Sequence, residues 1–430
     1  MKKKIYSGIV VALMLILMGV VMGLASPGME DTDLDVVGNG LHLPVVISEL
    51  AVYLLLFVRL CLQPTRMKRA AMALWPVVPV ILFCLASTTW SDAPSLTLRR
   101  SVLLALSTLA AMVVGADFEL PHIGRLFNTA TVIHIALCGI FLIVGRHYLY
   151  SPSDPTALKG LTTHKNIFGL EMGLAVLSFT YCPFQRLSVL RWPLVLLSFV
   201  LLVLSHSSGS LGATLGALAM FPFLFTNRFR GIQRIPLLLV SASAAAGMSF
   251  LLYQNASLIP GLFSKNPTLT GRTQLWDIVV VAIERRPLPG YGFGSFWQGL
   301  QGDSLAVIQQ VGWLVPTSHN GYLELLLAVG WIGAALFLPL VLVAISRSLR
   351  YLSVEQTSAR YFPATFLVFW IIYNFNESAL LAQSGITYML FIMICTSLGV
   401  KLRQRSVVRR SAWVGPESDP MFAAALGGME

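Results

Sequence analysis

The sequence predicts an all-α integral membrane protein with about twelve transmembrane helices and one large external loop. Of its 430 residues, 56% are hydrophobic and 11% are charged, and the mean hydropathy is +0.75. A soluble globular domain carries about 25% charged residues, so this composition excludes a soluble protein. Apolar runs of about 20 residues, enough to cross a bilayer as a helix, recur along nearly the whole chain.

The predicted spans are bounded to within a few residues. In chain order they cover 5–24, 44–62, 71–88, 101–118, 126–145, 166–182, 193–206, 211–226, 236–254, 321–345, 361–377 and 385–400. The first run follows three lysines, as in a signal peptide. It is long for the apolar part of one, and Pro27 lies where cleavage is expected, so we interpret it as a retained first helix. The seventh and eighth spans are short, and a re-entrant pair is the alternative.

These spans divide the chain into four segments. Residues 1–254 hold helices one to nine, 255–320 form the large external (periplasmic) loop, 321–400 hold helices ten to twelve, and 401–430 form a cytoplasmic tail. A long ordered loop in a compact protein usually carries function. The loop includes an amphipathic piece from Thr273 to Glu284.

The net charge of +11 does not indicate nucleic acid, because most Lys and Arg lie in short alternate loops between apolar runs. That distribution follows the positive-inside rule and predicts that both termini are cytoplasmic. The cytoplasmic cations are Lys2–Lys4, Arg66, Lys68, Arg69, Arg125, Arg186, Arg191, Arg228, Arg230, Arg234, Arg347, Arg350, Arg360, Lys401, Arg403, Arg405, Arg409 and Arg410.

Cations on the outer side run against this rule, and an anionic ligand there is one explanation. Arginine suits bidentate binding of phosphate. The candidates for a phosphate or pyrophosphate site are Lys165, Arg272, Arg285, Arg286, Arg99 and Arg100. Arg272 is the strongest, since Trp276 follows on the same helix face. Contact with lipid headgroups or ordinary solvation is the alternative.

A second polar group lies where the chain enters its tenth span, in Ser318-His319-Asn320-Gly321-Tyr322-Leu323-Glu324. Polar side chains at that depth are costly unless they are paired or face water. Histidine can exchange a proton near neutral pH, so His319 is a candidate base. Its alternative is a helix-cap neighbour or an interfacial residue without a role.

Other polar residues have weaker cases. His164 lies beside Lys165 on the outer side, and His206 either lines the site or closes a tight turn. Glu171 and Glu377 are the main charges inside predicted spans, too few for a rich ion relay. No metal or nucleotide motif is complete, so no metal and no cofactor is expected.

Several of these stretches resemble the O-antigen ligase and polysaccharide polymerase superfamily, within it the exopolysaccharide-production polymerases. They are Trp90-Ser91-Asp92-Ala93-Pro94 with Arg99-Arg100, Thr163-His164-Lys165-Asn166, Gly271-Arg272-x-x-x-Trp276, Pro289-Gly-Tyr-Gly-Phe-Gly294 and Ser318-His319-Asn320-Gly-Tyr-x-Glu324.

The resemblance implies a metal-independent, inverting glycosyltransferase of the integral-membrane GT-C type in the bacterial inner membrane. Such enzymes take a glycan from undecaprenyl pyrophosphate and pass it to an acceptor hydroxyl. The family's Arg and His carry over to Arg272 and His319 as catalytic residues. Lys165, Arg285 and Arg286 would bind substrate, together with Trp276, Asn320, Tyr322 and Glu324. Tyr291, Phe293 and Trp297 would stack on sugars or pack helices.

The sequence favours a polymerase of lipid-linked repeat units. An O-antigen ligase with a lipid A core acceptor is the runner-up, and a glycan or lipid transporter is the alternative of a different class. The implied partners are the undecaprenyl-pyrophosphate-linked donor, a glycan acceptor, the bilayer and polysaccharide export or chain-length proteins, with no nucleic acid.

Overall fold

The computed structural model describes residues 3–25, 43–226 and 272–411. These residues form helices and one short antiparallel hairpin. The helices are α1 (Lys3–Leu17), α2 (Val20–Ala25), α3 (Leu43–Cys61), α4 (Pro64–Ala73), α5 (Val77–Ala86), α6 (Pro94–Asp117), α7 (Leu120–Val144), α8 (Lys165–Tyr181), α9 (Arg191–Leu204), α10 (Ser208–Ala219), α11 (Phe221–Phe225), α12 (Arg272–Arg285), α13 (Gly302–Val311), α14 (Gly321–Val354), α15 (Phe362–Tyr373) and α16 (Ile386–Ser411). The hairpin strands are β1 (Tyr150–Ser151) and β2 (Asp154–Leu158).

The helices fit the predicted all-α membrane protein. Within the described residues, five helical stretches are long and apolar enough to cross a membrane: α6, α7, α10 continued by α11, α14, and α16 up to Arg405. Shorter apolar helices cover Lys4–Leu17, Val77–Thr89 and Ser188–Leu204. The predicted span 236–254, the loop part 255–271 and the tail 412–430 lie outside the described residues. The full count of twelve spans stays a prediction.

Several helix boundaries differ from the predicted ones, and four of them have a local explanation. The first helix breaks at Gly19, whose φ is +76°. Residues 64–73, predicted as a loop up to 70 and as the start of the third span from 71, form the separate helix α4, because Pro64 is well suited to the first turn of a helix. Helix α14 runs past residue 345 to Val354, since hydropathy marks the bilayer and not the helix end. Helix α15 ends at Tyr373 and not at residue 377.

The core lies around α15 and α16. Trp370 of α15 stacks on Phe391 of α16 with ring centroids 4.5 Å apart, and both are buried. Peripheral helix α9 instead exposes large apolar side chains such as Trp192 and Leu196. A helix that is apolar all round is typical of a membrane protein, in which outer side chains face lipid.

Helix α14 is interrupted at Gly330, where φ is +60° and ψ is −168°. The segment 287–292 pairs with the broken turn. The amides of Tyr291 and Gly292 donate to the carbonyls of Leu327 (2.9 Å) and Ala328 (3.0 Å). In return, the amides of Trp331 and Ile332 donate to Pro287 and Leu288 at 2.9 and 3.2 Å. Unpaired backbone groups in lipid cost several kcal/mol each, so this pairing makes the break tolerable.

Polar contacts join loops that the charge pattern assigns to one side. Lys401 contacts Glu355 at 2.7 Å and Glu119 at 3.8 Å, and Arg403 donates to the carbonyl of Met72 at 2.6 Å. Except for Met72, at the start of the predicted third span, these residues belong to the predicted cytoplasmic set. The contacts described in the next subsection join segments of the predicted external set. The contacts agree with this grouping, and which set is cytoplasmic stays a prediction.

Glu171 pairs with His134 inside the helix bundle. Nδ1 of His134 on α7 lies 2.9 Å from Oε2 of Glu171 on α8, and both side chains are fully buried. Nε2 of His134 also accepts the amide N–H of Leu161 at 3.3 Å, which holds the loop before α8 against α7.

We expect Gly330→Ala to lower the thermal midpoint of the purified protein strongly. A Cβ at Gly330 would lie 2.1 Å from the carbonyl oxygen of Leu288, and the left-handed φ adds about 1–2 kcal/mol for an L-residue. Gly139→Ala in α7 is the control. Its Cβ meets nothing within 4 Å, so the change should cost nothing or stabilise by up to about 1 kcal/mol. Equal thermal midpoints for the two variants would contradict this account of the break.

Candidate active site

Glu377 lies in the turn that follows α15. Asn374 shapes this turn, because its Oδ1 accepts the amide of Ala379 at 2.8 Å and its Nδ2 donates to the carbonyl of Trp370 at 2.7 Å. The Asn374 carbonyl also accepts the amide of Gly321, the first residue of α14, at 2.8 Å. Through these bonds the turn is fixed against the start of α14.

The carboxylate of Glu377 joins three side chains from distant parts of the chain. His319 Nδ1 lies 3.1 Å from Oε2. Arg272 donates to Oε1 at 2.8 Å, and Asn166 Nδ2 donates to the same oxygen at 2.6 Å. The structure therefore brings together His319 and Arg272, which the sequence predicts as catalytic, around a carboxylate that the sequence did not assign to the site.

The local backbone places His319 immediately before α14. Asn320 caps this helix, since its Oδ1 accepts the amides of Tyr322 (3.0 Å) and Leu323 (3.3 Å). His319 itself has a φ of +48°, in the left-handed region. Such a conformation is costly for a residue with a side chain and is typical of functional sites. His319 is thus held in place by both the cap and the carboxylate.

Arg272 opens α12, and its guanidinium also donates to the carbonyl of Asn376 at 2.5 Å. One turn later, Trp276 Nε1 donates to the carbonyl of Ser318 at 3.0 Å. The two residues share a helix face, as predicted. Arg272 contacts the segment that carries Glu377, and Trp276 contacts the segment that carries His319. A guanidinium has five N–H donors, and Glu377 and Asn376 occupy two of them, so others can bind an anion.

Electrostatics defines the proton state of this cluster. Partial burial raises the pKa of Glu377, but His319 and then Arg272 and His164 outweigh it and lower the pKa to about 2. Glu377 is therefore ionised at neutral pH and can only accept hydrogen bonds. His319 must then carry a proton on Nδ1, and in the neutral ring Nε2 keeps its lone pair. A carboxylate that fixes the tautomer in this way prepares the imidazole to act as a base.

The start of α8 forms a neighbouring polar group. His164 caps the helix by accepting the amide of Asn166 on Nδ1 at 3.1 Å. Lys165 pairs with Asp154 of the hairpin at 2.6 Å, and Nδ1 of His206 lies 3.5 Å from the same carboxylate. Burial raises the pKa of Asp154, but hydrogen bonds from Lys165 and Thr156 lower it overall. Lys165 thus lies one residue from the cluster, engaged with Asp154.

His206 lies in a tight turn, which was one of its two predicted alternatives, and its role in lining the site stays a prediction. Its φ of +52° fits the turn between α9 and α10, and its ring faces Asp154.

The remaining predicted site residues have other partners. Glu324 accepts from Trp297 Nε1 (3.0 Å to each oxygen) and from the Ser318 amide at 2.8 Å. The hydroxyl of Tyr322 donates to the carbonyl of Ile371 at 2.9 Å. Trp297 is only 4% exposed, so its ring packs in the core and does not offer a face for stacking. Tyr291 and Phe293 are buried in the same way.

Arg285 and Arg286 lie away from the Glu377 cluster. Arg286 pairs with Asp92 at 2.9 Å, and its guanidinium lies 4.6 Å from the ring centroid of Tyr291. Arg285 lines a separate cavity of about 280 Å³ together with Asp277 and Asp303. The structure connects neither arginine to His319 by a described contact. Their predicted role in substrate binding stays a prediction.

Two residues of the cluster, Glu377 and Asn166, were not among the predicted site residues. Glu377 was visible as a rare charge within a predicted span, which is itself a functional signal. Asn166 stood inside the His164-Lys165-Asn166 stretch of the resemblance, but nothing in the sequence paired it with Glu377.

We expect Glu377→Gln to reduce stability in a pH-dependent manner. Because the pKa of Glu377 is lower in the folded protein than its ordinary value of 4.5, its ionisation stabilises the fold above about pH 5. This contribution, about 3 kcal/mol, is lost as the pH falls through about 2.

The measurement is the thermal midpoint of wild type and variant in detergent at pH 7 and pH 3. The gap between them should shrink by about half at pH 3. Glu284→Gln, at an exposed position of α12, is the control for loss of one carboxylate. A gap independent of pH would show that Glu377 is not held as an ion pair.

The fold and the site together define a helical membrane protein with an oriented imidazole beside a guanidinium. The family model described as O-antigen ligase matches residues 193–338, which include Arg272, Trp276, His319 and Glu324. The exopolysaccharide production protein ExoQ of Rhizobium meliloti is 26% identical over 302 residues, covering 66% of this chain and 67% of that protein.

These comparisons confirm the resemblance to the O-antigen ligase and polysaccharide polymerase superfamily. They support a membrane enzyme of the ligase or polymerase type. Asn166 and Glu377 lie outside the matched range 193–338. The structure therefore completes the site with residues that the family match does not reach.

Proposed function

We propose that this protein is an inner-membrane glycosyltransferase that polymerises undecaprenyl-pyrophosphate-linked oligosaccharide repeat units. The observation that carries the proposal is the Glu377 carboxylate, which orients His319 and holds Arg272 beside it. Such a site supplies a base for a sugar hydroxyl and hydrogen-bond donors for a phosphate. The reaction takes place on the outer side of the membrane, and both termini are cytoplasmic.

The transfer is a single displacement. Nε2 of His319 accepts the proton of the acceptor hydroxyl while that oxygen attacks the anomeric carbon of the donor. The bond from this carbon to the pyrophosphate oxygen breaks, and the electron pair leaves with the pyrophosphate. Attack opposite the leaving group inverts the anomeric configuration. Glu377 stabilises the imidazolium that forms.

Arg272 acts on the leaving group. Negative charge builds up on the phosphate oxygen as the bond breaks, and a guanidinium fixed beforehand stabilises that charge without reorganisation. Pyrophosphate is already a good leaving group, so the mechanism needs no metal ion or strong general acid. Lys165, Arg285 and Arg286 extend the positive surface for the donor, while Asn320, Tyr322 and Trp276 keep the His319 segment in place.

The comparisons leave two acceptors to consider. The name of the relative, an exopolysaccharide production protein, favours a polymerase whose acceptor is a second lipid-linked glycan. The description of the family model, O-antigen ligase, favours the runner-up, transfer to a lipid A core. The polymerase would work with polysaccharide export or chain-length proteins. A glycan or lipid transporter, which makes no bond, is the alternative of a different class.

Substitutions in the cluster should stop transfer without stopping membrane insertion. We expect His319→Ala to lower the rate about 10²–10⁴-fold, because the base is lost. Arg272→Ala should lower it about 10²–10³-fold, because stabilisation of the leaving group is lost. Glu377→Gln keeps the shape and removes the charge, so the rate should fall while KM changes little.

The rates are measured with purified protein and a lipid-linked repeat unit. Arg350→Ala is the control, since Arg350 is an exposed arginine of α14 on the predicted cytoplasmic side. An equal loss in the control and in Arg272→Ala would mean that Arg272 serves only the fold.

The product of the reaction distinguishes the three functions. Wild-type protein in vesicles receives a purified undecaprenyl-pyrophosphate-linked repeat, with and without a lipid A core acceptor. We expect a longer glycan on the same lipid in both cases, read by mass spectrometry. If glycan is found only on lipid A, the function is that of the ligase. If the donor is unchanged and has moved across the bilayer, the function is that of the transporter.

A further inference from the structure

A cavity of about 230 Å³ opens beside the Glu377 cluster, between the glycine-containing loop 289–294, the start of α14 and the segment 378–383. It is lined by Arg100, Phe293, Gly294, Trp297, Pro316, Thr317, Gly321, Glu324, Leu325, Ala328, Ser378, Leu380, Leu381, Ala382 and Gln383. We propose that this cavity binds one uncharged sugar ring of the glycan substrate. The proposal rests on the proposed function and names a subsite for it.

The cavity and the cluster share a wall. Thr317 and Ser378 line the cavity, and Ser378 directly follows Glu377. Ser318 connects the two segments, because its hydroxyl lies 3.4 Å from the hydroxyl of Ser378. His319 follows Ser318. The cavity lining therefore comes within two residues of His319 along one segment and is adjacent to Glu377 along the other.

Glu324 provides the main polar group of the cavity. Its two oxygens are fixed by Trp297 Nε1 and the Ser318 amide, as described above. A carboxylate has about four lone-pair positions, so it can accept further hydrogen bonds from sugar hydroxyls. Thr317, Ser378 and Gln383 add donors and acceptors, and Leu325 and Leu381 offer apolar surface to the C–H face of a ring.

Charge and size favour a neutral ring over a phosphate. Among the lining residues, the cation Arg100 is balanced by the anion Glu324, and Arg100 already donates to the carbonyl of Gly294. A pyrophosphate would meet a carboxylate here without a surplus of positive charge. Pockets for drug-sized ligands measure about 300–1,000 Å³, so about 230 Å³ fits one ring and not an oligosaccharide.

The test is saturation-transfer NMR on the full chain in lipid nanodiscs without sugar-containing detergent. The probes are methyl glycosides of glucose, galactose, mannose and N-acetylglucosamine. We expect a saturation signal from at least one probe. Glu324→Gln and Gln383→Leu should each raise the Kd of that probe about fivefold or more, because a hydrogen bond to the sugar is lost. Gln309→Leu, at an exposed position of α13, is the control. Thermal midpoints show that the variants are folded.

Several results would overturn the proposal. These are the absence of a signal from all four probes, equal binding by wild type and both cavity variants, or displacement of the probe by inorganic pyrophosphate. His319→Ala separates this proposal from the proposed function, because it should bind the probe normally while losing transfer. Probe binding without transfer by wild type would reject the enzyme and keep the cavity. If wild type carries out transfer but Glu324→Gln and Gln383→Leu bind the probe as wild type does, the cavity proposal is rejected and the proposed function is kept.

Discussion

The site depends on one partly buried carboxylate that needs partners. An ionised glutamate removed from water is stable only if it is paired and hydrogen-bonded. Glu377 finds its partners in three segments far apart in the chain, through Asn166, Arg272 and His319. A single charge thus sets where α8, α12 and the start of α14 meet. The same contacts that stabilise the fold also orient the imidazole, so stability and chemistry cannot be separated at this position.

Helix α14 shows the second constraint, which is backbone pairing in an apolar environment. The helix begins with a capped turn at Asn320 and breaks at Gly330, and neither place leaves its amides unpaired. The glycine-containing loop can supply the pairing only because it approaches the helix backbone closely. A Cβ at Gly290 would lie 2.7 Å from the backbone of Ala328. The loop is therefore fixed to the helix that carries Glu324, and these two elements form part of the lining of the cavity proposed to bind a sugar ring.

The sequence identified those site residues that are unusual for their predicted place in a membrane protein. Arg272 is a cation on the predicted outer side, and His319 is polar where the chain enters hydrocarbon, so both were visible. Glu377 was assigned to the end of a span because the preceding residues up to Tyr373 are mostly apolar. Asn374 ends α15 earlier, through contacts with Ala379 and Trp370 that hydropathy does not report. Lys165 was predicted to bind phosphate, but Asp154 comes from a hairpin too short to be recognised in the sequence.

The charges of the cluster explain why it needs the start of α8. Arg272 and Glu377 offset each other, and a neutral His319 adds nothing, so the cluster itself has no net attraction for a pyrophosphate. Helix α8 begins at Lys165, and the N-terminus of a helix carries about half a positive charge. Asn166 brings this end within a hydrogen bond of Glu377. The helix terminus then supplies positive potential, because the charge of Lys165 is already offset by Asp154. Glu377 remains free to fix the imidazole. In the proposed reaction, Arg272 then acts mainly through directed N–H donors, and the donor phosphate is drawn towards the side of the cluster where α8 begins.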